Sequence, residues 1–189
     1  AEVYGDSGDT VNSLKYHKRA LEIRRKINDL SGIGSSLVPL ALSYKHKGKM
    51  TLALQYLDEA LKIAEQLNEE ESIAIATYNL GSVFYDQKQF DKALQYFERS
   101  LAISKKNSNA FGIAVCMQSI GDILIAKKNF GKAIDVLQES YTIAQQLGAI
   151  EIVGGVSEKL SKLYENSGDT KKALYFYKIN RALHEIGRA

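Results

Sequence analysis

The stretch LGSVFYDQKQFDKALQYFERSLAI, from Leu80 to Ile103, decides the fold of this chain. Apolar residues recur at helical spacing on both sides of the polar segment DQKQ, which predicts two helices joined by a tight turn. Gly81 and Ala93 are small residues at which the helices can approach closely, and larger side chains fill the space around them. These larger side chains are Phe84, Phe90, Phe97 and Leu101. Such a helix pair cannot bury its apolar face alone and therefore requires neighbours.

The neighbours lie in the same chain, because the pattern recurs every 40 residues without an insertion. The column of small residues reads Ser13, Ala53, Ala93, Ala133 and Ala173, and the next column reads Leu14, Leu54, Leu94, Ile134 and Leu174. A fixed period with small and large residues in register predicts a solenoid of stacked helix pairs.

This pattern resembles the tetratricopeptide repeat (TPR) family. The positions that carry the resemblance are Leu80, Gly81, Phe84, Phe90, Ala93, Phe97 and Ser100. The period of 40 residues is longer than usual and is similar to that of Pins-like adaptors, kinesin light chains and bacterial peptide-sensing regulators. The resemblance implies an all-α fold, a right-handed α-α superhelix of antiparallel helix pairs.

We expect one continuous array over residues 1–189. Its predicted parts are a partial repeat at 1–29 and repeats at 33–68, 70–107, 109–148 and 149–187. Both ends interrupt the repeat pattern, so we expect the sequence to be a fragment of a longer protein.

Glycines and prolines make local predictions. Gly8, Gly48 and Gly168 are expected to end helices in the left-handed conformation, and Asp9 or Thr10 to begin the next helix after Gly8. Lys88 and Lys128 occupy the same column, where each would cost about 1 kcal/mol. Pro39 predicts a kink in the helix that spans 33–47, or an ordered part that begins near it. Gly154 and Gly155 weaken the start of the fifth first helix; a tight contact or a hinge would explain them, and we favour a fraying helix start.

Composition excludes several classes of function. The formal net charge of +3 is too small to predict binding to nucleic acid. No apolar run is long enough to cross a bilayer and no signal peptide opens the chain, so we expect no membrane partner and a cytoplasmic location. Cys116 is the only cysteine and the three histidines lie in different repeats, so no disulfide, metal site or cofactor is expected. No nucleophile–base spacing or phosphate-binding loop is present, and we expect no enzymatic activity.

The resemblance also implies a binding surface, because first helices line a concave groove in this family. The groove positions of interest are Lys45, Tyr78, Asn79, Ser82, Tyr85, Gln118, Ser119, Asp122, Glu158, Lys159 and Lys162, with Ser35, Val38, Leu42, Ile75 and Ile125 beside them. Tyrosines supply contact area with few rotors to freeze, and an asparagine amide both donates to and accepts from a peptide backbone. The alternative is an ordinary solvated helix face. The lysines are too dispersed to predict a clamp for a C-terminal carboxylate.

Three functional hypotheses follow. The first is a scaffold for protein–protein interaction that holds a peptide or helix of a partner in the groove. The second is self-association, for example a homodimer, through the apolar stripe between Leu174 and Ile186. The third is a regulatory sensor domain of a larger bacterial signalling protein.

Two charged segments allow a functional and a structural interpretation. The basic residues of the first complete helix, from Lys15 to Lys26, fit either an acidic partner or a solvated face. The acidic run from Glu69 to Glu71 fits either a cation site or a helix start, and we favour the helix start because carboxylates stabilise helix N-termini.

Overall fold

The computed structural model describes the backbone of residues 7–186 and the side chains of residues 15–185. Within that range the chain forms only helices and turns, with no strand. The helices are α1 Ser7–Lys26, α2 Leu30–His46, α3 Met50–Leu67, α4 Glu70–Asp86, α5 Phe90–Lys106, α6 Ala110–Ala126, α7 Phe130–Leu147, α8 Ile150–Asn166 and α9 Thr170–Ile186. Consecutive helices pack on each other, as expected for stacked helix pairs.

Every turn from α1–α2 to α8–α9 uses the same backbone device. A residue with positive φ recurs at every twentieth position, and the set is Asn28, Gly48, Asn68, Lys88, Ser108, Lys128, Gly148 and Gly168. The amide that follows each of these residues donates to a carbonyl five residues earlier, at 2.8 to 3.0 Å. This Schellman arrangement satisfies carbonyl groups that the end of a helix leaves without a partner.

The turns confirm some local predictions and correct others. Gly48 and Gly168 are left-handed as predicted, and so are Lys88 and Lys128 with φ of 60° and 59°. The prediction that Gly8 ends a helix was wrong, because α1 begins at Ser7 and Gly8 lies in its first turn. The amide groups of a first turn have no intrahelical partner in any helix, so a glycine there does not interrupt the hydrogen bonds. A helix start at Asp9 or Thr10 is also wrong, because α1 already begins at Ser7. The left-handed Asn28, Asn68 and Ser108 were not predicted.

Two helix predictions also change. The helix α2 runs from Leu30 to His46 with Pro39 inside it, so its ordered part does not begin at the proline. Gly154 and Gly155 lie inside α8 rather than at a frayed start. A Cβ atom at Gly155 would lie 3.0 Å from Nε2 of Gln118, so a close contact from α6 accounts for this glycine.

The chain forms two compact units, residues 1–96 and residues 97–189, and α5 contributes to both. In the first unit, the leucines Leu37, Leu40, Leu57 and Leu80 are fully buried. In the second unit, Leu137, Val156 and Leu160 are fully buried in the same way. Each unit therefore has its own apolar core, while the division of the chain into repeats remains a prediction.

A stacked aromatic pair joins a first helix to its second helix at equivalent positions of the repeats. The pairs are Tyr44–Tyr56 at 5.5 Å between ring centroids, Phe84–Tyr96 at 5.4 Å and Tyr164–Phe176 at 5.9 Å. The ammonium groups of Lys92 and Lys172 lie 5.3 and 4.9 Å from the rings of Phe84 and Tyr164. Stacking and cation–π attraction thus hold the two helices of each pair together near their turn.

Small residues set the separation of helices within a pair. Ala53, Ala93 and Ala133 have no exposed surface. Gly121 of α6 faces Leu137 of α7, and a Cβ atom at Gly121 would lie 2.5 Å from Cδ2 of Leu137. Because that contact is far below van der Waals distance, the glycine is a steric requirement of the α6–α7 pair.

Replacing Gly121 with alanine is expected to lower the free energy of unfolding by about 1–3 kcal/mol, because it overpacks the α6–α7 contact. Gly131→Ala is the matched control, since a Cβ atom there would meet nothing within 4 Å. We expect that control to be neutral or to stabilise by up to about 1 kcal/mol through helix propensity. Urea unfolding of both variants checks the pair, and equal losses would contradict the steric assignment.

Replacing Lys88 with glycine is expected to raise the free energy of unfolding by about 1 kcal/mol, because glycine adopts a left-handed conformation without steric cost. The reverse change, Gly48→Ala, places a Cβ atom on a residue with φ of 70° and is expected to destabilise by about the same amount. Thermal melts followed by circular dichroism measure both. A lower stability of the Lys88→Gly variant would show that the contacts of the lysine side chain contribute more to stability than the relief of backbone strain.

Candidate functional site

The helices α2 and α4 of the first unit pack against each other. They carry the predicted groove positions of that unit, and we call the surface that these positions form the α2–α4 face. At one end of this face, Lys45 Nζ donates to Ser82 Oγ at 2.5 Å and lies 3.1 Å from Asp86 Oδ2. The Lys45 side chain is 18% exposed. The structure therefore brings two predicted residues together, Lys45 and Ser82, and adds Asp86, which sequence reasoning missed.

The predicted aromatic and amide residues lie on α4 between this ion pair and the start of the helix. Tyr78, Asn79 and Tyr85 are half-buried. Asn79 Nδ2 donates to the Ile75 carbonyl at 2.8 Å, so one donor of the amide already serves its own helix. The Tyr85 ring meets the Phe90 ring at 5.7 Å and 56°. These residues form a surface that is partly apolar and partly polar.

At the other end of the face is a cavity of about 190 Å³, which we call the α2–α4 pocket. Its small and aliphatic walls come from α2, α3 and α4 and consist of Gly34, Val38, Ala60, Ile63, Ala64 and Ile75. Its polar rim consists of Ser35, Glu69 and Ser72. Val38, Ser35 and Ile75 were predicted groove positions, whereas sequence reasoning missed the rest.

Glu69 of this rim precedes α4 as its N-cap residue, but its carboxylate does not cap the backbone. Instead it accepts hydrogen bonds from Ser72 Oγ at 2.9 Å and Ser31 Oγ at 3.4 Å. Glu70 and Glu71 lie in the first turn of α4, where the helix-start interpretation places them. The signal that could have identified the pocket is the smaller size of Val38 and Ser72 compared with Gln118 and Ile152, which occupy the same positions two repeats later.

In the second unit, α6 and α8 pack against each other and carry the equivalent positions, which we call the α6–α8 face. Lys159 Nζ lies 2.9 Å from Asp122 Oδ2, and both side chains are about a quarter exposed. Lys162 Nζ lies 2.5 Å from Glu158 Oε1 on the exposed surface of α8. The hydrogen bond and charge of Lys162 hold the pKa of the Glu158 carboxyl below its usual value.

The remaining predicted residues of this face are Gln118 and Ser119. Gln118 extends toward Gly155 of α8, and Ser119 Oγ donates to the Val115 carbonyl of its own helix at 3.1 Å. Within each unit, then, a lysine on one first helix pairs with an acidic residue on the neighbouring first helix. Lys45 and Lys159 each have an acidic partner in their own unit.

Two basic residues of α1 make contacts with other helices of the first unit. Arg24 donates to the Gly32 carbonyl at 2.8 Å and to Ser36 Oγ at 2.5 Å. Arg25 donates to both carboxylate oxygens of Glu59, at 2.6 and 2.7 Å. These contacts show that part of the basic run packs α1 against the first unit.

The stripe on α9 is partly exposed and partly buried. Leu174, Tyr175 and Tyr177 are each at least half exposed. Phe176, which the sequence placed in the same stripe, is instead buried against Tyr141 and Tyr164. Burial and the hydrogen bond with Tyr175 raise the pKa of Tyr141 to about 12. The side chain of Ile186 lies outside the described residues.

The remaining candidates for a site are a metal cluster, a membrane-spanning helix and a reactive cysteine. Among the described residues, no cluster of histidine, cysteine and carboxylate side chains has the arrangement of a metal site. No described helix is both long and apolar enough to span a membrane. Cys116 is buried, and burial raises the pKa of its thiol, which donates to Ser100 Oγ at 3.4 Å.

The family model described as Tetratricopeptide repeat matches residues 1–66, 32–106 and 72–146. The chain belongs to the tetratricopeptide repeat family. This membership and the helix pairs described above agree on an all-α superhelical repeat fold. No curated protein matches the chain.

Solved structures with the same fold include several TPR proteins. The TPR-like repeats of a putative kinesin light chain from Podosopora anserina are 17% identical, with 98% of this chain and 92% of that chain covered and a TM-score of 0.74. A Rap protein complexed with Competence and Sporulation Factor is 15% identical, with 93% and 50% covered and a TM-score of 0.73.

A third similar structure is a Signal Transduction ATPase with Numerous Domains (STAND) from Pyrococcus horikoshii, which has a tetratricopeptide repeat sensor. It is 25% identical, with 97% of this TPR chain and 28% of that chain covered and a TM-score of 0.79. This TPR chain thus matches only part of the STAND protein and half of the Rap protein.

The ion pair between Asp122 and Lys159 is expected to contribute about 1 kcal/mol of coupling free energy, because both side chains are largely shielded from water. A double-mutant cycle of alanine substitutions, measured by urea unfolding, gives this coupling. The exposed pair Glu158–Lys162 is the control and is expected to show about 0.5 kcal/mol or less, falling further in high salt. Equal couplings would show that Lys159 does not hold the two helices together.

Proposed function

We propose that this TPR chain is a non-catalytic scaffold for protein–protein interaction that holds a peptide or helix of a partner against its first helices. The observation that carries the proposal is the composition of the α2–α4 face. Half-buried Tyr78 and Tyr85 offer aromatic area beside the Asn79 amide and the Lys45 ion pair. Interfaces favour this mixture, because aromatic residues supply contact area and amides fix the register of a backbone.

The α6–α8 face supports the same proposal with different chemistry. Gln118, Ser119 and Asp122 are half-buried and polar, and Lys159 holds the carboxylate of Asp122 in place. A side chain whose position is fixed before binding loses less entropy when a partner arrives. Glu158 and Lys162 are more exposed and belong to the rim of the proposed site.

The relatives provide a second argument. The Rap protein is complexed with Competence and Sporulation Factor, and the Pyrococcus horikoshii protein has a tetratricopeptide repeat sensor. The first supports binding of a partner, and the second favours another candidate function, a sensor domain within a larger signalling protein. Signalling and a cytoplasmic location are part of this second proposal.

Self-association through α9 is a further alternative, supported by the exposed Leu174, Tyr175 and Tyr177. Exposed apolar side chains at neighbouring positions favour association. Sedimentation equilibrium distinguishes this alternative, because a monomer mass that does not change with concentration would contradict a homodimer.

The groove proposal is tested by affinity capture from a lysate of the source organism, with mass spectrometry as the readout. Tyr78→Ala/Asn79→Ala removes the aromatic and amide contacts of the α2–α4 face, and Gln118→Ala/Asp122→Ala changes the α6–α8 face. We expect proteins captured by the wild type to be depleted at least about tenfold in one or both variants, since interface hot spots cost about 1–2 kcal/mol or more.

The matched control is Lys132→Ala/Lys171→Ala, which changes two exposed residues of the second helices α7 and α9. Its captured proteins should match those of the wild type. Captures that are the same for all variants would contradict the proposed groove, and loss in the control alone would move the site to the second helices. Thermal melts followed by circular dichroism show whether each variant is folded.

A further inference from the structure

The α2–α4 pocket is shaped to take a side chain. Its volume is about 190 Å³, and its walls include Val38, Ile63 and Ile75. An apolar cavity of about 150 Å³ in another protein is large enough to bind benzene, so a whole aliphatic side chain fits here. Ile75 is 46% exposed, which leaves apolar surface at the mouth for the ligand to cover.

At three positions of the pocket, the second unit carries larger residues two repeats later. Two repeats later, the positions of Gly34 and Ser72 are taken by Ala114 and Ile152. Ile152 is buried in the core of the second unit. The position of Val38 is taken by Gln118, whose side chain extends to Gly155. The second unit thus fills with its own side chains the place that the first unit leaves open.

The one charged side chain that lines the pocket is a carboxylate. The lining includes Glu69 but no lysine or arginine. Residues 30–44, which supply most of α2, contain no charged residue. The Glu69 carboxylate is held at the rim by the hydroxyl groups of Ser72 and Ser31, which fix its position without neutralising its charge. A ligand that places a positive charge at this rim is therefore favoured over one that places a negative charge there.

We infer that the α2–α4 pocket receives an aliphatic side chain of a partner segment whose neighbouring residue is lysine or arginine. The aliphatic group is buried against Val38, Ile63 and Ile75, and the cation meets Glu69. The inference rests on the proposed function, since it specifies the ligand of one face of the same site.

The test uses a phage-displayed library of random short peptides, selected on the intact chain in low salt. Enriched peptides are then synthesised, and their dissociation constants are measured by fluorescence polarisation for the wild type and for pocket variants. Ser72→Ile fills the pocket with the residue that the chain itself uses two repeats later. Gly34→Ala adds one methyl group at 3.4 Å from Ile63 Cγ2, an ordinary contact that should preserve the fold.

We expect the enriched peptides to share an aliphatic residue beside lysine or arginine. Ser72→Ile should weaken their binding more than about tenfold, and Gly34→Ala by about threefold, because each occupies space that the ligand needs. Glu69→Gln should weaken binding about threefold to tenfold in low salt and less in high salt, because it removes a screened charge interaction. The control Glu151→Gln removes the same charge from the first turn of α8 and should leave binding unchanged.

The outcomes separate this inference from the proposed function. Enriched peptides that bind the Ser72→Ile and Gly34→Ala variants as well as the wild type would overturn the pocket assignment and leave groove binding standing. Enriched peptides with acidic residues in place of lysine or arginine would overturn the assigned ligand chemistry. Enrichment of no peptide over the bare support would count against both. If Ser72→Ile does not fold, Gly34→Ala decides the result.

Discussion

The structure depends on one backbone constraint, the left-handed residue that ends a helix at every twentieth position from Asn28 to Gly168. The amide after that residue donates to a carbonyl five residues earlier, which closes the helix and reverses the chain in a few residues. Because these turns recur at a fixed spacing, the helices α2 to α9 have nearly equal lengths of 17 or 18 residues. Equal helices in a fixed register allow the same side-chain positions to meet in successive helix pairs.

The contacts between helices show which side chains stabilise the helix pairs. Alanine or glycine where helices approach, as at Ala53 and Gly121, permits close packing, and the stacked rings of Tyr44 and Tyr56 close the pair near the turn. Lysines then join successive first helices, through Asp86 in the first unit and Asp122 in the second. These ion pairs engage Lys45 and Lys159 internally, and the recognition that we propose for the same faces relies mainly on their aromatic, amide and aliphatic groups.

The two units differ where the first helices begin. In the first unit, Val38 and Ser72 border a cavity with a carboxylate at its rim, whereas in the second unit Gln118 and Ile152 occupy the equivalent positions. A repeated backbone thus carries different surfaces, because the residues that set its turns and core are separate from those that line its faces. This separation explains why the fold alone does not name a ligand.

Most of the helices could be predicted from the sequence, because apolar spacing, glycine and the repeat period all indicate the same boundaries. The left-handed Asn28, Asn68 and Ser108 were missed because asparagine and serine signal turns less strongly than glycine does. Gly8 was misassigned because it has the right position in the period but lies within α1. Fraying was the wrong choice for Gly155 because this glycine lies inside α8 against Gln118 of another helix, a contact that no local pattern contains.

The sequence by itself determined the TPR architecture, since a 40-residue period of small and large residues has few ways to bury its apolar faces. It also indicated which positions belong to the first helices. Only the tertiary structure decided that Lys45 pairs with Asp86, that Lys159 pairs with Asp122 and that a cavity opens beside Glu69. Such features depend on side chains from separate helices meeting within a few ångströms, and a one-dimensional period does not specify those distances.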